Sequence, residues 1–241
     1  MIKGIYYGSS AMQYLDEKLD VIANNLANTD TTGFKRSGVA FNQQLTAEQA
    51  KHRNQINLDP LPVGTIHTYI ENTQGAIKQT SNPLNFALDG NGYFTVQTPD
   101  GVAWTRDGAF TMNEEGYLTT KDGFYVMGDY GPIRIEGKKF SVSDQGDIIV
   151  DNFVANKLLL QDFHGDCVVQ KGNNLYFPKG EYMMFKDPEA NIRQGYLESS
   201  NVSIVKEMIT MIAINRQYQA NDKAIKTQDE ALGRAASQIA R

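Results

Sequence analysis

The sequence predicts an α+β fold, in which an N-terminal and a C-terminal helix pair as a coiled coil and the central domain is an antiparallel all-β structure. Near both ends, apolar residues recur at steps of three and four, the pattern of a helix with one apolar stripe. Between the ends, glycines recur at short intervals and separate short β-branched and aromatic runs. These patterns predict four segments: residues 1–34 as helix and turn, 35–76 as an extended arm or linker, 77–197 as a β-rich domain, and 198–241 as helix.

The first helix is predicted from a seam of apolar residues with heptad spacing, and Gly8 takes one slot of that seam. Ser10 and Gln13 have the form of a capping box, so regular helix is expected to begin there or one turn earlier, and to end near Asn28. After it, Gly33 is expected to be left-handed and to redirect the chain. The predicted seam residues are Ile5, Met12, Leu15, Leu19, Ile22 and Leu26.

The arm from residue 35 to residue 76 is predicted from weak patterning. Polar residues dominate it, and Pro60 and Pro62 interrupt it. We therefore expect little core of its own.

The central domain is predicted from closely spaced turn signals. Asp100-Gly101, Asp107-Gly108, Glu115-Gly116 and Asp122-Gly123 are typical of hairpins and tight turns. Short strands with frequent turns favour an antiparallel sandwich or irregular barrel. A parallel sheet is excluded because the intervals leave no room for crossover helices.

The last helix is predicted because glycines almost vanish after Asn201, which we expect to cap it. Its first turns carry a broad apolar face, which suggests contact on more than one side. Polar residues at two predicted seam positions, Asn215 and Asp222, would fix the register of the pairing. The alternative is that both helices pack on the sheet of an ordinary α+β domain. The seams of both helices are expected to form the assembly interface of a protein that polymerises. The predicted seam residues of the last helix are Ile204, Met208, Met211, Tyr218, Ile225, Leu232 and Ile239.

Charge and composition argue against several functions. A net charge of -5 argues against a nucleic-acid-binding surface, which needs a basic face. No apolar run is long enough to span a bilayer, and we expect no cleaved secretory signal. The single cysteine, Cys167, excludes an internal disulfide. The scattered histidines and the turn glycines predict no metal site, no cofactor and no catalytic centre.

One alternative from another class is a cell-wall protein that binds or cleaves glycans. A stacking platform would use Trp104, Tyr93 and Phe94, although aromatic residues in alternating strands usually belong to a core. Cleavage would need two carboxylates across a bond, one of them held in an apolar pocket. Glu114 and Glu115 are expected in a solvated turn instead.

Three separated motifs resemble those of bacterial flagellar rod and hook proteins. The N-terminal motif runs from Val21 to Thr29 and continues as Thr32-Gly33-Phe34-Lys35. The central motif begins with Ala87-Leu88-Asp89-Gly90-Asn91-Gly92-Tyr93-Phe94 and continues as Thr105-Arg106-Asp107-Gly108. The C-terminal motif includes Glu198, Ser200-Asn201-Val202, Met208, Met211 and Tyr218. The motifs occur in the family's order and cover most of the chain.

The resemblance implies a structural subunit of the flagellar basal body, without enzymatic activity. In such proteins, the terminal helices form an inner coiled-coil layer and the β-rich middle forms an outer layer. Subunits are exported unfolded by the flagellar type III apparatus and polymerise, with themselves and with other axial proteins, into a rod that spans the periplasm. The resemblance implies that a signature turn links the two layers, formed by Asn25, Asn28, Thr29, Gly33, Phe34 and Lys35.

Within that family, the compact middle domain is similar to rod proteins rather than to hook proteins. The segment Gly131-Pro132-Ile133-Arg134-Ile135 favours the proximal rod protein of the F type, whereas the C-terminal helix is about as similar to the distal type.

Overall fold

The computed structural model describes residues 2–44, 63–136, 140–151, 153–163, 168–172, 174–178, 185–186, 188 and 190–239. The chain forms two compact units. The helical unit contains Met1–Ala27, Ser37–Glu71 and Ser203–Arg241, and the β unit contains Asn28–Arg36 and Asn72–Val202. A helix near each end of the chain, with antiparallel strands between them, confirms the predicted α+β class.

The two helices are α1 (Ile2–Ala27) and α2 (Ile204–Ile239). The predicted start of α1 near Ser10 is wrong, because the helix already begins at Ile2. The predicted cap Asn201 is also wrong, because α2 begins later, and Glu207 N donates to Ser203 O at 3.0 Å in its first turn. Neither helix, over its described residues, is both long enough and apolar enough to cross a membrane.

Nineteen strands are described, and every pairing between them is antiparallel. They are β1 (Ser37–Gln44), β2 (Val63–Ile70), β3 (Ile77–Gln79), β4 (Phe86–Gly90), β5 (Tyr93–Thr98), β6 (Gly101–Thr105), β7 (Thr111–Met112), β8 (Leu118–Thr119), β9 (Tyr125–Gly128), β10 (Gly131–Pro132), β11 (Phe140–Val142), β12 (Asp147–Val150), β13 (Phe153–Lys157), β14 (Leu160–Phe163), β15 (Val168–Lys171), β16 (Leu175–Pro178), β17 (Phe185–Lys186), β18 (Ala190–Gln194) and β19 (Tyr196–Glu198).

In the helical unit, β1 and β2 form a two-stranded ribbon within the segment that the sequence predicts as an extended arm. Ser37 pairs with Ile70 at one end and Gln44 with Val63 at the other. A two-stranded ribbon has little stability of its own in water. The ribbon is therefore consistent with the prediction of an arm that lacks a large core.

The β unit is built around a ten-stranded sheet with the central order β15-β16-β6-β5-β9-β8-β7. Three smaller sheets accompany it: β11-β12-β13, β18-β4 and β19-β3. The last two pairings matter for the site, because they join the final strands of the unit to its first ones.

The core of the β unit consists of aromatic and branched aliphatic side chains from both early and late strands. Phe94, from the centre of the sheet, is completely buried, and Ile192, from β18, is almost so. Burial of each such side chain contributes about 1.5–3 kcal/mol. The unit therefore has a core of its own.

Candidate functional site

In the helical unit, α1 and α2 pack against each other through apolar side chains. Leu15, Ile22 and Ile214 form the buried centre of this contact. The partly buried residues around them are Tyr14, Leu19, Met211 and Tyr218. The spacing of three and four in both helices places these residues on one face of each.

The two helices run in opposite directions. Gly8, in the first half of α1, lies against Ile225, in the second half of α2, so closely that an added Cβ would come within 2.9 Å of the Ile225 side chain. Further along α1, Ile22 packs near Ile214 instead. Gly8 thus permits a close approach of the helices, which accounts for a glycine inside α1.

The predicted seam residues fall into three groups. Leu15, Leu19, Ile22, Met211 and Tyr218 meet in the packed contact, and Ile225 faces Gly8. The side chains of Met12, Leu26 and Leu232 are half-buried. Ile204 and Met208 are exposed, and the side chains of Ile5 and Ile239 lie outside the described residues.

The seam on α2 has a different phase from the predicted one in the first half of the helix. Ile214 is buried, whereas Asn215 is exposed and its Nδ2 donates to Met211 O at 3.0 Å. One turn earlier, Glu207 is buried and Met208 is exposed. The prediction that Asn215 lies in the seam is therefore wrong. Ile214, three residues after Met211, is the apolar seam residue, whereas Asn215, four residues after Met211, is polar and exposed.

This phase leaves an exposed apolar surface on the first half of α2. Its five side chains are 45% to 68% exposed. They recur at steps of one, three and four, so they lie along one side of the helix. We call this surface the apolar stripe; it consists of Ile204, Val205, Met208, Ile209 and Ile212.

The signature turn follows α1. In the helical unit, the buried Asn25 side chain bonds both backbone groups of Ser37: its Nδ2 donates to Ser37 O at 2.8 Å and its Oδ1 accepts from Ser37 N at 2.9 Å. In the β unit, Asn28 Oδ1 accepts from Thr31 Oγ1 at 3.1 Å. Thr29 is half-buried and Phe34 is buried. Polar side chains thus hold the backbone on both sides of the turn.

Gly33 has the predicted left-handed conformation, with a φ of 65°. An added Cβ would come within 2.3 Å of the Arg106 carbonyl group. The turn therefore requires glycine both for its conformation and for its close approach to the sheet.

A buried group of three charges lies next to this turn in the β unit. Lys35 Nζ is 2.7 Å from Glu198 Oε1, and Arg106 Nε is 2.7 Å from Glu198 Oε2. All three side chains are at most 4% exposed. We call Lys35, Arg106 and Glu198 the ionic cluster. It carries two positive charges and one negative charge.

Backbone groups complete the hydrogen bonds of the cluster. Lys35 Nζ donates to Thr73 O at 2.9 Å, and Glu198 Oε1 accepts from Gly75 N at 2.8 Å. Arg106 donates to carbonyl oxygens in and just after β4, those of Leu88, Gly90 and Gly92. Buried charges need such partners, because an unsatisfied one would have a large desolvation cost.

The pKa values of the cluster reflect burial and the excess positive charge. Burial lowers the pKa of Lys35, the attraction of Glu198 opposes this, and repulsion by Arg106 lowers the pKa further. Burial alone would raise the pKa of Glu198, but Arg106 and then Lys35 lower it below its ordinary value. Glu198 therefore remains ionised to a lower pH than an exposed glutamate does.

Aromatic side chains surround the cluster. Arg106 lies over the ring of Tyr93 at 5.9 Å from its centroid, and burial raises the pKa of Tyr93 to about 12. Trp104 and Phe94 are also buried. The glycan-stacking platform considered from the sequence is therefore wrong, because its three aromatic residues belong to the interior.

Two chain segments are tied together beside the cluster. Gly33 N donates to Glu198 O at 2.8 Å, and Arg36 N donates to Asn201 Oδ1 at 2.7 Å. Asn201 Nδ2 in turn donates to Thr73 O at 3.0 Å. Asn201 thus links the segments around Arg36 and Thr73 by hydrogen bonds, and it does not cap a helix.

A cleft of about 280 Å³ lies beside the signature turn, also in the β unit. Its polar lining includes Asp107, Lys121 and Asp122, and its apolar lining includes Ala109 and Leu175. Among the described residues, no three histidine, cysteine, aspartate or glutamate side chains are close enough to hold a metal ion. The lining of the cleft thus combines apolar side chains with charges of both signs.

Sequence patterns missed the ionic cluster and the role of Ile214. Lys35, Arg106 and Glu198 each belong to a different one of the three motifs, and the opposite charges that these motifs contribute were the available signal. For Ile214, the signal was the apolar residue three positions after Met211.

Three family models match successive parts of the chain. The description "Flagella basal body rod protein" belongs to a family model that matches residues 5–35. A model described as "Flagellar hook protein FlgE/F/G D1 domain" matches residues 87–150. A third, "Flagellar basal body rod FlgEFG protein C-terminal", matches residues 193–239.

Individual relatives match over nearly their full length. The flagellar basal-body rod protein FlgG of Bacillus subtilis is 34% identical, with 96% of this chain and 97% of the relative covered. FlgG of Buchnera aphidicola subsp. Baizongia pistaciae is 33% identical, with 96% and 98% covered. FlgF of Mesorhizobium japonicum is 30% identical, with 94% and 98% covered. The chain therefore belongs to the flagellar basal-body rod protein family, in the group of the F and G types.

Proposed function

We propose that the chain is a structural subunit of the flagellar basal-body rod, which polymerises into a helical axial tube and transmits torque from the motor to the hook. The family is structural, so the chain is not an enzyme, and the comparisons give no support to a glycan-binding or glycan-cleaving protein. Its partners are other copies of itself and other axial rod and hook proteins.

The observation that carries the proposal is the apolar stripe. Soluble monomers rarely expose contiguous apolar patches of several hundred Å², and such patches commonly mark protein contacts. Five aliphatic side chains remain exposed on α2, next to the segment from Met211 to Ile225 that packs against α1. Burial of each of them by a neighbour would contribute up to about 1.5–3 kcal/mol.

The helix pair provides the inner layer of the tube in this proposal. The α1–α2 contact forms an antiparallel coiled coil within one subunit, and the apolar stripe packs against a different surface of the next subunit. Such a heterologous contact propagates when its rotation does not close, and it then generates a helical assembly. The predicted seam residues thus divide between two tasks, pairing within a subunit and contact between subunits.

Delivery and location follow from the same proposal. The subunit passes unfolded through the flagellar type III export apparatus and assembles in the rod that spans the periplasm. A chain with an exposed apolar stripe benefits from this order, because the stripe meets neighbours soon after it folds.

The position along the rod is proposed as proximal, that of the F type. The segment Gly131-Pro132-Ile133-Arg134-Ile135 supports this position. The distal type is the second candidate, because the G-type relatives are 33% and 34% identical to this chain. Restoration of motility in a strain that lacks the F-type protein, and not in one that lacks the G-type protein, would support the proximal position.

A charged substitution in the stripe tests the assembly proposal. Ile209→Asp places a carboxylate at the centre of the stripe and should abolish rod formation and motility while the isolated subunit remains folded. Gln217→Asp is the matched control, because it adds the same charge to an exposed position on the same helix outside the stripe. Rods would be counted in purified basal bodies, and helix content would be measured by circular dichroism.

Normal rods in the Ile209→Asp strain would contradict the proposal. Loss of rods in both strains would also contradict it, because the effect would then not depend on the stripe.

A further inference from the structure

The ionic cluster joins residues that are far apart in the sequence of the β unit. Lys35 belongs to the segment that opens the unit, Arg106 follows β6, and Glu198 belongs to β19. The carboxylate that contacts both cations therefore comes from the last segment of the unit. Without it, two positive charges at most 4% exposed would face each other.

The same last segment also completes the sheet and the core. β18 pairs with β4 over five residues, from Ala190 opposite Gly90 to Gln194 opposite Phe86. β19 pairs with β3. Ile192, in the middle of β18, is 1% exposed and belongs to the core cluster. Residues 190–201 thus supply the strand partners of β3 and β4 and part of the core that the earlier strands lack.

Backbone groups of earlier segments depend on it as well. Gly33 N and Gly75 N both donate to Glu198, the first to its carbonyl oxygen and the second to its carboxylate. Thr80 N donates to Gly195 O at 2.7 Å, and Gly195 N donates to Asn85 O at 2.7 Å. A buried backbone amide that loses its acceptor has a cost of its own.

From these contacts we propose that Glu198 is a folding latch: the β unit reaches its native packing only when residues 190–201 dock and the carboxylate neutralises Lys35 and Arg106. Until then, both cations stay hydrated, and the water that hydrates them keeps the first and central strands from packing. The unit therefore folds late, after almost the whole of its sequence has become available.

The latch gives a partly delivered chain a reason to remain unfolded. This consequence rests on the proposed function, because it matters only for a subunit that is exported before it folds. The folding order itself is a property of the isolated chain, so the two statements fail independently.

The test uses pulsed hydrogen exchange during refolding of the full-length protein from denaturant. The amides of the β5–β6 ladder report on the central sheet, and those of Gly33 and Gly75 report on docking of Glu198. We expect both sets to become protected in a single kinetic phase. Protection of the β5–β6 amides in an earlier phase would overturn the latch.

Substitutions test the role of charge. Glu198→Gln keeps the shape of the side chain and should lower the protection of both sets of amides about a hundredfold. Asp89→Asn is the matched control, because it removes a carboxylate from the exposed pair with Arg193 and should change protection less than about fivefold.

A second variant keeps the test decisive if Glu198→Gln does not fold. Lys35→Met in the Glu198→Gln background removes one of the two cations and should restore most of the lost protection, because the excess charge falls. If the double variant is as weakly protected as Glu198→Gln alone, the role of Glu198 is not charge neutralisation and the proposal is wrong.

Discussion

The helix pair and the ionic cluster are two opposite solutions to the problem of joining distant parts of one chain. The helix pair uses repeated apolar residues. It buries only one face of α2, so the apolar stripe remains exposed. The ionic cluster uses three single residues, and it leaves almost nothing exposed. The helix contact is long and leaves apolar side chains exposed, whereas the ionic cluster is small and fully buried.

The difference indicates which region belongs to the subunit alone and which belongs to the assembly. A seam made of many similar contacts can be extended by a neighbour, because another helix can add contacts of the same kind. The ionic cluster cannot be extended by a neighbour in this way, because its three side chains are at most 4% exposed and out of a neighbour's reach. Assembly contacts are therefore expected on the helical unit, and internal rigidity in the β unit.

The largest effect is expected from removal of a cation that holds the β unit together. Arg106→Met leaves three carbonyl oxygens and Glu198 without this donor and should lower the free energy of unfolding by about 3–5 kcal/mol. Urea unfolding monitored by the fluorescence of the buried Trp104 would measure the loss.

Arg193→Met is the matched control for that prediction. Its guanidinium pairs with Asp89 at an exposed site, so the loss should not exceed about 1 kcal/mol. Equal losses in the two variants would remove the distinction between closed and exposed charge pairs.

A smaller effect is expected in the helix pair. Ile22→Ala removes a side chain that is 2% exposed and should lower the free energy of unfolding by about 2–3 kcal/mol, near the low end of the range for buried isoleucine. Thermal unfolding followed by the circular dichroism of the helices would measure it.

Ile209→Ala, in the stripe, should change the stability of the isolated subunit by less than about 0.5 kcal/mol, because its side chain is already exposed. If Ile209→Ala destabilised the subunit as much as Ile22→Ala, the stripe would be an internal contact and not an assembly surface.

An effect of acid on the ionic cluster is expected as well. The pKa of Glu198 is lowered below its ordinary value of 4.5 by Arg106 and Lys35, in spite of burial. Its contribution to stability is therefore complete above that ordinary value and is lost as the pH falls through the lower folded-state pKa. The free energy of unfolding, measured from about pH 7 down to about pH 2, should decrease in that acidic range.

Glu198→Gln should flatten this acidic decrease, because it removes the titrating group. An unchanged slope in that variant would mean that other carboxyl groups cause the acid sensitivity.

Periodicity predicted the helices and much of their contact, because helix packing depends on local spacing that the sequence displays. Leu15, Ile22, Met211 and Tyr218 were predicted as seam residues and lie in the packed contact. The phase error at Ile214 arose because a step of three and a step of four are both compatible with a helical face. Only the position of α1 decides between them.

Turn chemistry predicted the antiparallel middle domain and the conformation of Gly33 for the same local reason. The ionic cluster could not be predicted in this way, because Lys35 and Glu198 are joined only by tertiary structure. The sequence associates the signature turn with α1, whereas Gly33 and Lys35 of that turn bond to Glu198 in the β unit. Local patterns describe an element well, but they do not indicate which neighbour it will contact.

The tie between Arg36 and Asn201 has a mechanical consequence. The chain passes from one unit to the other near residues 28, 36, 72 and 202, and the segments beside two of these crossings are bonded to each other, Arg36 N to Asn201 Oδ1 and Gly33 N to Glu198 O. Tension applied at Arg36 and Asn201 would therefore be carried by these hydrogen bonds and not by the ten-stranded sheet. The sheet lies outside that path of force, so strands can be added to it or lost from it without a change in the path.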